Sequence, residues 1–272
     1  MSDTSIFDLT GKVSVVSGAA RGMGRAMALS LASAGSDMLL VDLNERGLKS
    51  TMKEIRSMGR KVDYSTTDVS ETDHIPALFE HLDRTFGRID FLGNVAGGET
   101  VFGAPEDISI GDFEQSIKSL VTGRFLMCQE AGKRMLAQGT GSIVNIGSIG
   151  GVSSLGRGQI AYFAAMGAVV QMVRGLATEW ASRGVRVNAI LPAQVLNPGL
   201  SERIDKTPEV LDTFLRGIPA GRMGQPDDIR GLSVLLASDA STWITGALIP
   251  MDGGNLALNA GGSYPGSPSA SG

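Results

Sequence analysis

Ser14-Val15-Val16-Ser17-Gly18-Ala19-Ala20-Arg21-Gly22-Met23-Gly24-Arg25 decides how the chain is read. A β-branched run at 13–16 stops in small residues and glycine. It reopens as a helix with apolar Met27, Leu31 and Ala34 at helical spacing. Strand, glycine-rich turn and helix, in that order, give a glycine motif its meaning. A pyrophosphate approaches backbone only where side chains are absent. The N–H groups of the helix start, with the positive end of its dipole, then face the negative charge. Glycines also mark ordinary βα turns, so this motif is weak until the rest of the chain supports it.

The 272 residues, 42% hydrophobic, suit one α/β domain with a full core. A net charge of -4 argues against nucleic acid or an anionic membrane as partner. No run reaches the apolar length that crosses a bilayer. Met1-Ser2-Asp3-Thr4 has neither the basic stretch nor the apolar core of a leader, so a cytoplasmic protein without membrane contact is expected. The single cysteine, Cys128, excludes an internal disulfide framework and reads as a buried helical thiol. His74 and His81 fall on one expected surface helix and read as solvated, so no metal site is expected.

Strand-like runs at 13–16, 38–41, 61–64, 89–93, 142–146, 185–190 and 248–250 alternate with helical patterns at 25–34, 46–58, 71–86, 111–138, 162–182 and 227–237. Such alternation predicts an α/β, Rossmann-type, doubly wound parallel sheet of about seven strands with helices on both faces. The binding crevice then lies at the carboxyl ends of the strands, where strand order reverses. One dinucleotide-binding domain is expected over 1–258. The stretch 193–219, with a mixed polar and apolar helical interior, reads as a substrate lid. The Gly/Ser/Pro tail at 259–272 has almost nothing to bury and is expected to be disordered.

Asp42 closes the second strand, about where an acid bonds the adenosine ribose hydroxyls. Its other reading is a cap for the helix after Asn44. A carboxylate there repels a 2′-phosphate and favours NAD over NADP. Arg21 and Arg46, as candidate phosphate ligands, pull the other way.

With these residues in hand the chain resembles a classical short-chain dehydrogenase/reductase over nearly its whole length. Ser17-Gly18 through Gly22 and Gly24 resemble the family's glycine motif, with serine for threonine. Asp68-Val69 is similar to the adenine-contacting pair, and Asn94-Val95-Ala96-Gly97 to the motif that steadies the sheet beside the cofactor. Arg186-Val187-Asn188-Ala189-Ile190-Leu191-Pro192 is similar to the family's sixth strand and its turn, and the stretch from Gly221 to Gly254 to its closing helix and strand. The resemblance implies cofactor contacts from Gly18, Arg21, Gly22, Met23, Gly24, Asp42, Leu43, Asp68, Val69, Asn94, Ala96, Gly97, Tyr162, Pro192, Val195 and Asn197.

It also implies that Ser148 and Tyr162 are catalytic and touch substrate. Without the resemblance, Ser148 reads equally as a turn residue or helix cap, and Tyr162 as a core aromatic. The family's lysine, four residues after the tyrosine, is here Met166, and its helix asparagine falls on Leu120. Ala193 stands where glycine is usual, and Asn197 where a threonine contacts the nicotinamide amide. Glu99 is an auxiliary candidate, as base or substrate ligand, against a solvated loop acid. Arg157 reads as a substrate ligand or a surface arginine, and Gln194 as a substrate or nicotinamide-side hydrogen-bond donor or a turn residue. Lys118, two residues from Leu120, should face elsewhere.

A free phenol titrates near pH ~10, so without a supporting cation a ready phenolate at neutral pH costs about 4 kcal/mol. Alcohol oxidation needs that phenolate as base, whereas carbonyl reduction needs only the neutral phenol. The expected function is therefore an NAD-dependent oxidoreductase that interconverts a small secondary alcohol and ketone, with an atypical proton relay. Two alternatives are a catalytically degenerate NAD-binding, sensing or scaffold protein and a redox-neutral lyase or isomerase with bound NAD. The small and apolar residues of the two longest helices further predict a homo-oligomer, tetramer or dimer.

Overall fold

The structure is a computed structural model and describes residues 5–98, 101–154 and 158–259. Its seven strands are β1 (Val13–Ser17), β2 (Asp37–Val41), β3 (Val62–Ser65), β4 (Phe91–Asn94), β5 (Gly141–Ile146), β6 (Val185–Pro192) and β7 (Leu248–Met251). They form one sheet in the order β3-β2-β1-β4-β5-β6-β7, and every neighbouring pair is parallel. The chain moves outward from β1 to β3 and then returns to the other side of β1. The switch point lies between β1 and β4, where Ser17 faces Asn94 in register.

The helices are α1 (Gly22–Ser33), α2 (Glu45–Ser57), α3 (Ile75–Thr85), α4 (Ile110–Ile117), α5 (Gly123–Gln138), α6 (Ile160–Trp180), α7 (Pro198–Lys206), α8 (Glu209–Leu215), α9 (Arg230–Ala237) and the short α10 (Asn255–Asn259). Alternate strand residues point to opposite faces, and here both faces are apolar. Val13, Val15, Leu39, Leu92, Ile143 and Val187 pack under Phe79 of α3, Met127 and Cys128 of α5, and Val173 of α6. Val16, Leu40, Phe91, Val144 and Ile190 pack under Met27 and Leu31 of α1, Leu48 and Ile55 of α2, and Leu236 of α9. A separate small core of Phe214, Ile218 and Met223 gathers the apolar residues of α7 and α8.

Three sequence expectations change. The helix expected over 111–138 is divided: α4 and α5 are joined by a π-helical turn, Lys118–Thr122, at the point where the chain passes Val69. A Cβ on Gly123 would overlap the Val69 carbonyl oxygen, so the wide turn and the missing side chain let the backbones meet. His81 is not simply solvated, since its Nε2 lies 3.0 Å from Asp63 Oδ2. The segment Ile160–Arg183 is long and apolar enough to cross a membrane, contrary to the sequence reading. Val170, Val173 and Ala177 lie on the sheet and Ala165 and Val169 pack against Leu120, which suits a buried crossover helix.

Candidate active site

β1 runs into a turn that only glycine can make at two places. Gly18 has φ +73°, and a Cβ there would lie 3.0 Å from the Ala96 nitrogen. A Cβ on Gly24 would overlap the Gly18 carbonyl oxygen. Arg21 caps α1 in extended backbone without a side-chain bond, so the first N–H groups of the helix, on Gly22, Met23 and Gly24, have no capping side chain. The turn is also stapled to β2. The Ala19 N–H donates to the Val41 carbonyl (3.2 Å), and the Ala20 N–H to Asp42 Oδ2 (3.1 Å). Asp42 Oδ1 accepts from the Asn44 N–H at 2.9 Å. The cap of α2 is Asn44, whose side chain accepts from the Gly47 N–H at 3.0 Å. This removes the capping alternative for Asp42 and leaves its carboxylate fixed at the end of β2. Leu43, next to it, is exposed, as are Arg21 and Arg46.

Across the switch point Ser17 Oγ accepts from the Val95 and Ala96 N–H groups, each at 3.1 Å. Asn94 Nδ2 bonds Asn145 Oδ1 (3.1 Å), the Arg124 carbonyl (3.2 Å) and Cys128 Sγ (3.4 Å). Cys128 is a buried thiol, as expected. Burial pushes it up to about 11, against the bonds from Asn145 and Asn94. Asp68 Oδ1 accepts from the Ser70 hydroxyl (2.7 Å) and N–H (2.8 Å). The hydroxyl above all holds that carboxyl below its usual range. Val69 lies against the π-helical turn through Gly123.

Ser148 follows β5 and caps the short turn Ile149–Gly151, its Oγ accepting from the Gly150 N–H at 3.0 Å. The cap reading of Ser148 is therefore correct, and it does not compete with a chemical role. With a lone pair committed to Gly150, the hydroxyl hydrogen remains free to donate outward. Tyr162 is the third residue of α6, half-buried, with its ring edge-on to Phe163 at 6.1 Å between centroids. The Ser148 turn packs on the start of this helix: a Cβ on Gly150 would meet the Phe163 ring at 2.7 Å, and one on Gly151 the Met166 carbonyl oxygen at 2.6 Å. Tyr162 also packs against a buried cluster of Leu120, Ala165, Met166 and Val169.

A cavity of about 520 Å³ opens beside Gln159, the residue before α6. It is lined by Phe102, Arg203, Thr207, Glu209, Val210, Thr213 and Phe214, mostly from α7 and α8. Gln194 lines a second cavity, of about 400 Å³, with Arg222, Asp228, Asp252 and Gly254, and neither Ser148 nor Tyr162 lines either cavity. Its neighbour Val195 bridges to Gly224, anchoring the start of the 193–219 stretch beyond Pro192. Asn197 Oδ1 caps α7 through the Leu200 N–H at 3.0 Å, so that oxygen is occupied. Lys118 faces away, as expected, and pairs with Glu71 at 3.2 Å. Glu99 and Arg157 lie outside the described residues, as does the tail beyond 259. Among the described residues no group of acids, histidines or cysteines could hold a metal.

One residue at the crevice had no signal in the sequence. Arg124, in the first turn of α5, is only 5% exposed. Its Nη2 donates to the Ala96 carbonyl at 3.0 Å and its Nη1 to the Ile146 carbonyl, at the ends of β4 and β5. Its Nε has no hydrogen-bond partner among the described residues. A guanidinium in a helical stretch reads as surface until the π-helical turn is known.

A parallel sheet with a glycine turn at its switch point, an acid just past β2, a serine just past β5 and a tyrosine at the start of α6 define a Rossmann-type nucleotide-binding fold. The chain belongs to the short-chain dehydrogenase/reductase family. Residues 18–255 match the family model described as Enoyl-(Acyl carrier protein) reductase. The chain is 38% identical over 248 residues to D-threitol dehydrogenase of Mycolicibacterium smegmatis, covering 91% of this chain and 94% of the relative. It is 38% identical over 258 residues to 2-dehydro-3-deoxy-D-gluconate 5-dehydrogenase of Escherichia coli, covering 93% and 98%. Among solved structures, NAD+-bound xylitol dehydrogenase superposes with a TM-score of 0.84 at 29% identity, covering 89% of this chain and 98% of that one.

Proposed function

We propose that the chain is an NAD-dependent oxidoreductase that interconverts a small polyol or hydroxy acid and its ketone. With a dinucleotide bound across the glycine turn, its nicotinamide ring would supply the hydride acceptor or donor. The residues fit that group. Gly18 and Gly24 leave no room for side chains, the start of α1 offers its N–H groups, and Asp42 presents a fixed carboxylate. A carboxylate already committed to the Ala20 and Asn44 N–H groups cannot move away from a 2′-phosphate, which supports NAD over NADP.

The single observation that carries the reading is the placement of Ser148 and Tyr162. Ser148 keeps its hydroxyl hydrogen for the substrate oxygen, and its turn packs on the helix start that carries Tyr162. In oxidation the Tyr162 oxygen takes the hydroxyl proton; in reduction it returns one. Ser148 holds the oxygen on which charge develops. The polar residues around the neighbouring cavity, Gln159, Arg203, Thr207 and Thr213, suit a substrate rich in hydroxyls or bearing a carboxylate. The relatives' named substrates, threitol and a deoxygluconate, are of that kind. The stretch 193–219, with its own small core, acts as the lid.

Met166 stands at the family's lysine position and Leu120 at its asparagine position. Their burial together is what favours the second reading, an NAD-binding protein without turnover. A panel of polyols and sugar acids, followed at the NADH absorbance band, decides between them. Activity that falls by about 100-fold or more in Ser148→Ala and Tyr162→Phe, with NAD binding kept, supports the enzyme. Absence of turnover over the whole panel overturns it. Exposed Ile110 and Phe125 on α4 and α5 further support association of copies of the chain, which light scattering tests.

A further inference from the structure

The cavity of about 520 Å³ beside Gln159 draws its walls from three segments. Phe102 follows β4, Gln159 stands between β5 and α6, and α7 and α8 follow β6. These segments leave the carboxyl ends of three neighbouring strands, where an open parallel sheet binds its ligand. The first two are tied together: the Gly103 N–H donates to the Gly158 carbonyl at 3.0 Å, next to Phe102 and Gln159. The Gln159 carbonyl accepts the Phe163 N–H at 3.0 Å, so this wall lies one helical turn before Tyr162 and Phe163.

The polar groups on these walls are an uneven set. Among the described lining residues Arg203 is the one cation and Glu209 the one acid. No ion pair joins them, and neither side chain has a partner elsewhere among the described residues. Thr207 follows Arg203 by one turn, its N–H bonded to the Arg203 carbonyl at 3.0 Å. On α8 the Thr213 hydroxyl donates to the Glu209 carbonyl at 2.9 Å. Thr213 can then only accept from a ligand, as can the Glu209 carboxylate. The Gln159 amide and the Thr207 hydroxyl keep both donor and acceptor capacity.

A ligand that satisfies this set brings one anionic group for the guanidinium and several hydroxyl hydrogens for Glu209 and Thr213. A neutral polyol leaves Arg203 without a charged acceptor, and a second negative charge on the ligand meets Glu209. Phe102, Val210 and Phe214 supply apolar surface for the carbon chain. The cavity is of the size that small ligands fill.

We infer that Arg203 is a specificity-determining residue: it takes the carboxylate of a polyhydroxy monocarboxylic acid, and the site prefers such acids to neutral polyols of equal length. This rests on the reading of the chain as a dehydrogenase of polyols or hydroxy acids, and it chooses between those two classes. A planar guanidinium matches a carboxylate with two parallel hydrogen bonds.

D-Gluconate and D-sorbitol test this, because they share a hydroxylated carbon chain and differ at one end, carboxylate against alcohol. Each is titrated by calorimetry into the full chain with saturating NADH, a pairing in which both compounds are already reduced and no hydride moves. Should the chain take up no nucleotide, the same titrations use the chain alone. The wild type is expected to bind gluconate about tenfold or more tighter than sorbitol. Arg203→Gln should lose that margin through weaker gluconate binding, with sorbitol affinity kept within about twofold. Arg203→Lys should keep part of it. Arg203 is exposed, so gluconate affinity should also fall as salt is raised, whereas sorbitol affinity should not. Equal affinities in the wild type, binding of neither compound, or a margin that survives Arg203→Gln overturns the inference. Preference for gluconate without turnover of any substrate sinks only the enzyme reading. Turnover without the preference sinks only the role of Arg203.

Discussion

Leu120 and Met166 share one buried apolar cluster, 2% and 1% exposed, and Tyr162 rests against it. A charge placed inside that cluster meets apolar side chains, with no acid among its described members. Met166→Lys is therefore expected to destabilise the fold by about 3 kcal/mol or more, read by urea unfolding, and to lower rather than raise turnover. A stable variant that gains activity from none would instead identify a degenerate site.

The glycine turn makes a steric demand. Gly24→Ala drives a Cβ into the Gly18 carbonyl, and either the turn or the helix start has to shift. A loss of about 1–3 kcal/mol in stability is expected, with at least a tenfold weaker NAD affinity. Calorimetry on the folded variant checks both.

Cofactor preference depends on Asp42. In Asp42→Ser the negative charge at the end of β2 is gone, and the bonds from Ala20 and Asn44 weaken. NAD affinity should fall about tenfold while NADP affinity rises, read by titration with each nucleotide. Unchanged affinities would place the adenosine ribose elsewhere.

Cys128 makes stability depend on alkaline pH. Its thiol is pushed by burial from an ordinary 9.0 up to about 11, so the unfolded chain releases this proton first. The contribution is complete below the unfolded value and is lost as pH rises from about 9 through 11, by up to about 3 kcal/mol. Cys128→Ala should flatten that part of the profile, and the native thiol should resist alkylation at neutral pH. Rapid labelling of folded protein would contradict its burial.

The sheet was legible because its central strands are buried on both faces, and such runs as Leu39-Leu40-Val41 stand out between helical periods. The glycine turn and Asp42 were legible because a phosphate and a ribose demand particular residue types there. What escaped depends on contacts distant in sequence. The π-helical turn at Lys118–Thr122 adds one residue to a turn without altering composition, and it leads into Gly123, which lies against Val69. Arg124 looks like a surface residue in a helical stretch, and only the carbonyls of Ala96 and Ile146 make it an interior one.

Uptake of nicotinamide nucleotide by the full chain is the most direct measurement. Isothermal calorimetry on well-folded protein should show saturable NAD binding with one site per chain, and weaker NADP binding. Absence of heat with both nucleotides, oxidised and reduced, would contradict the assignment of the glycine turn and the function built on it.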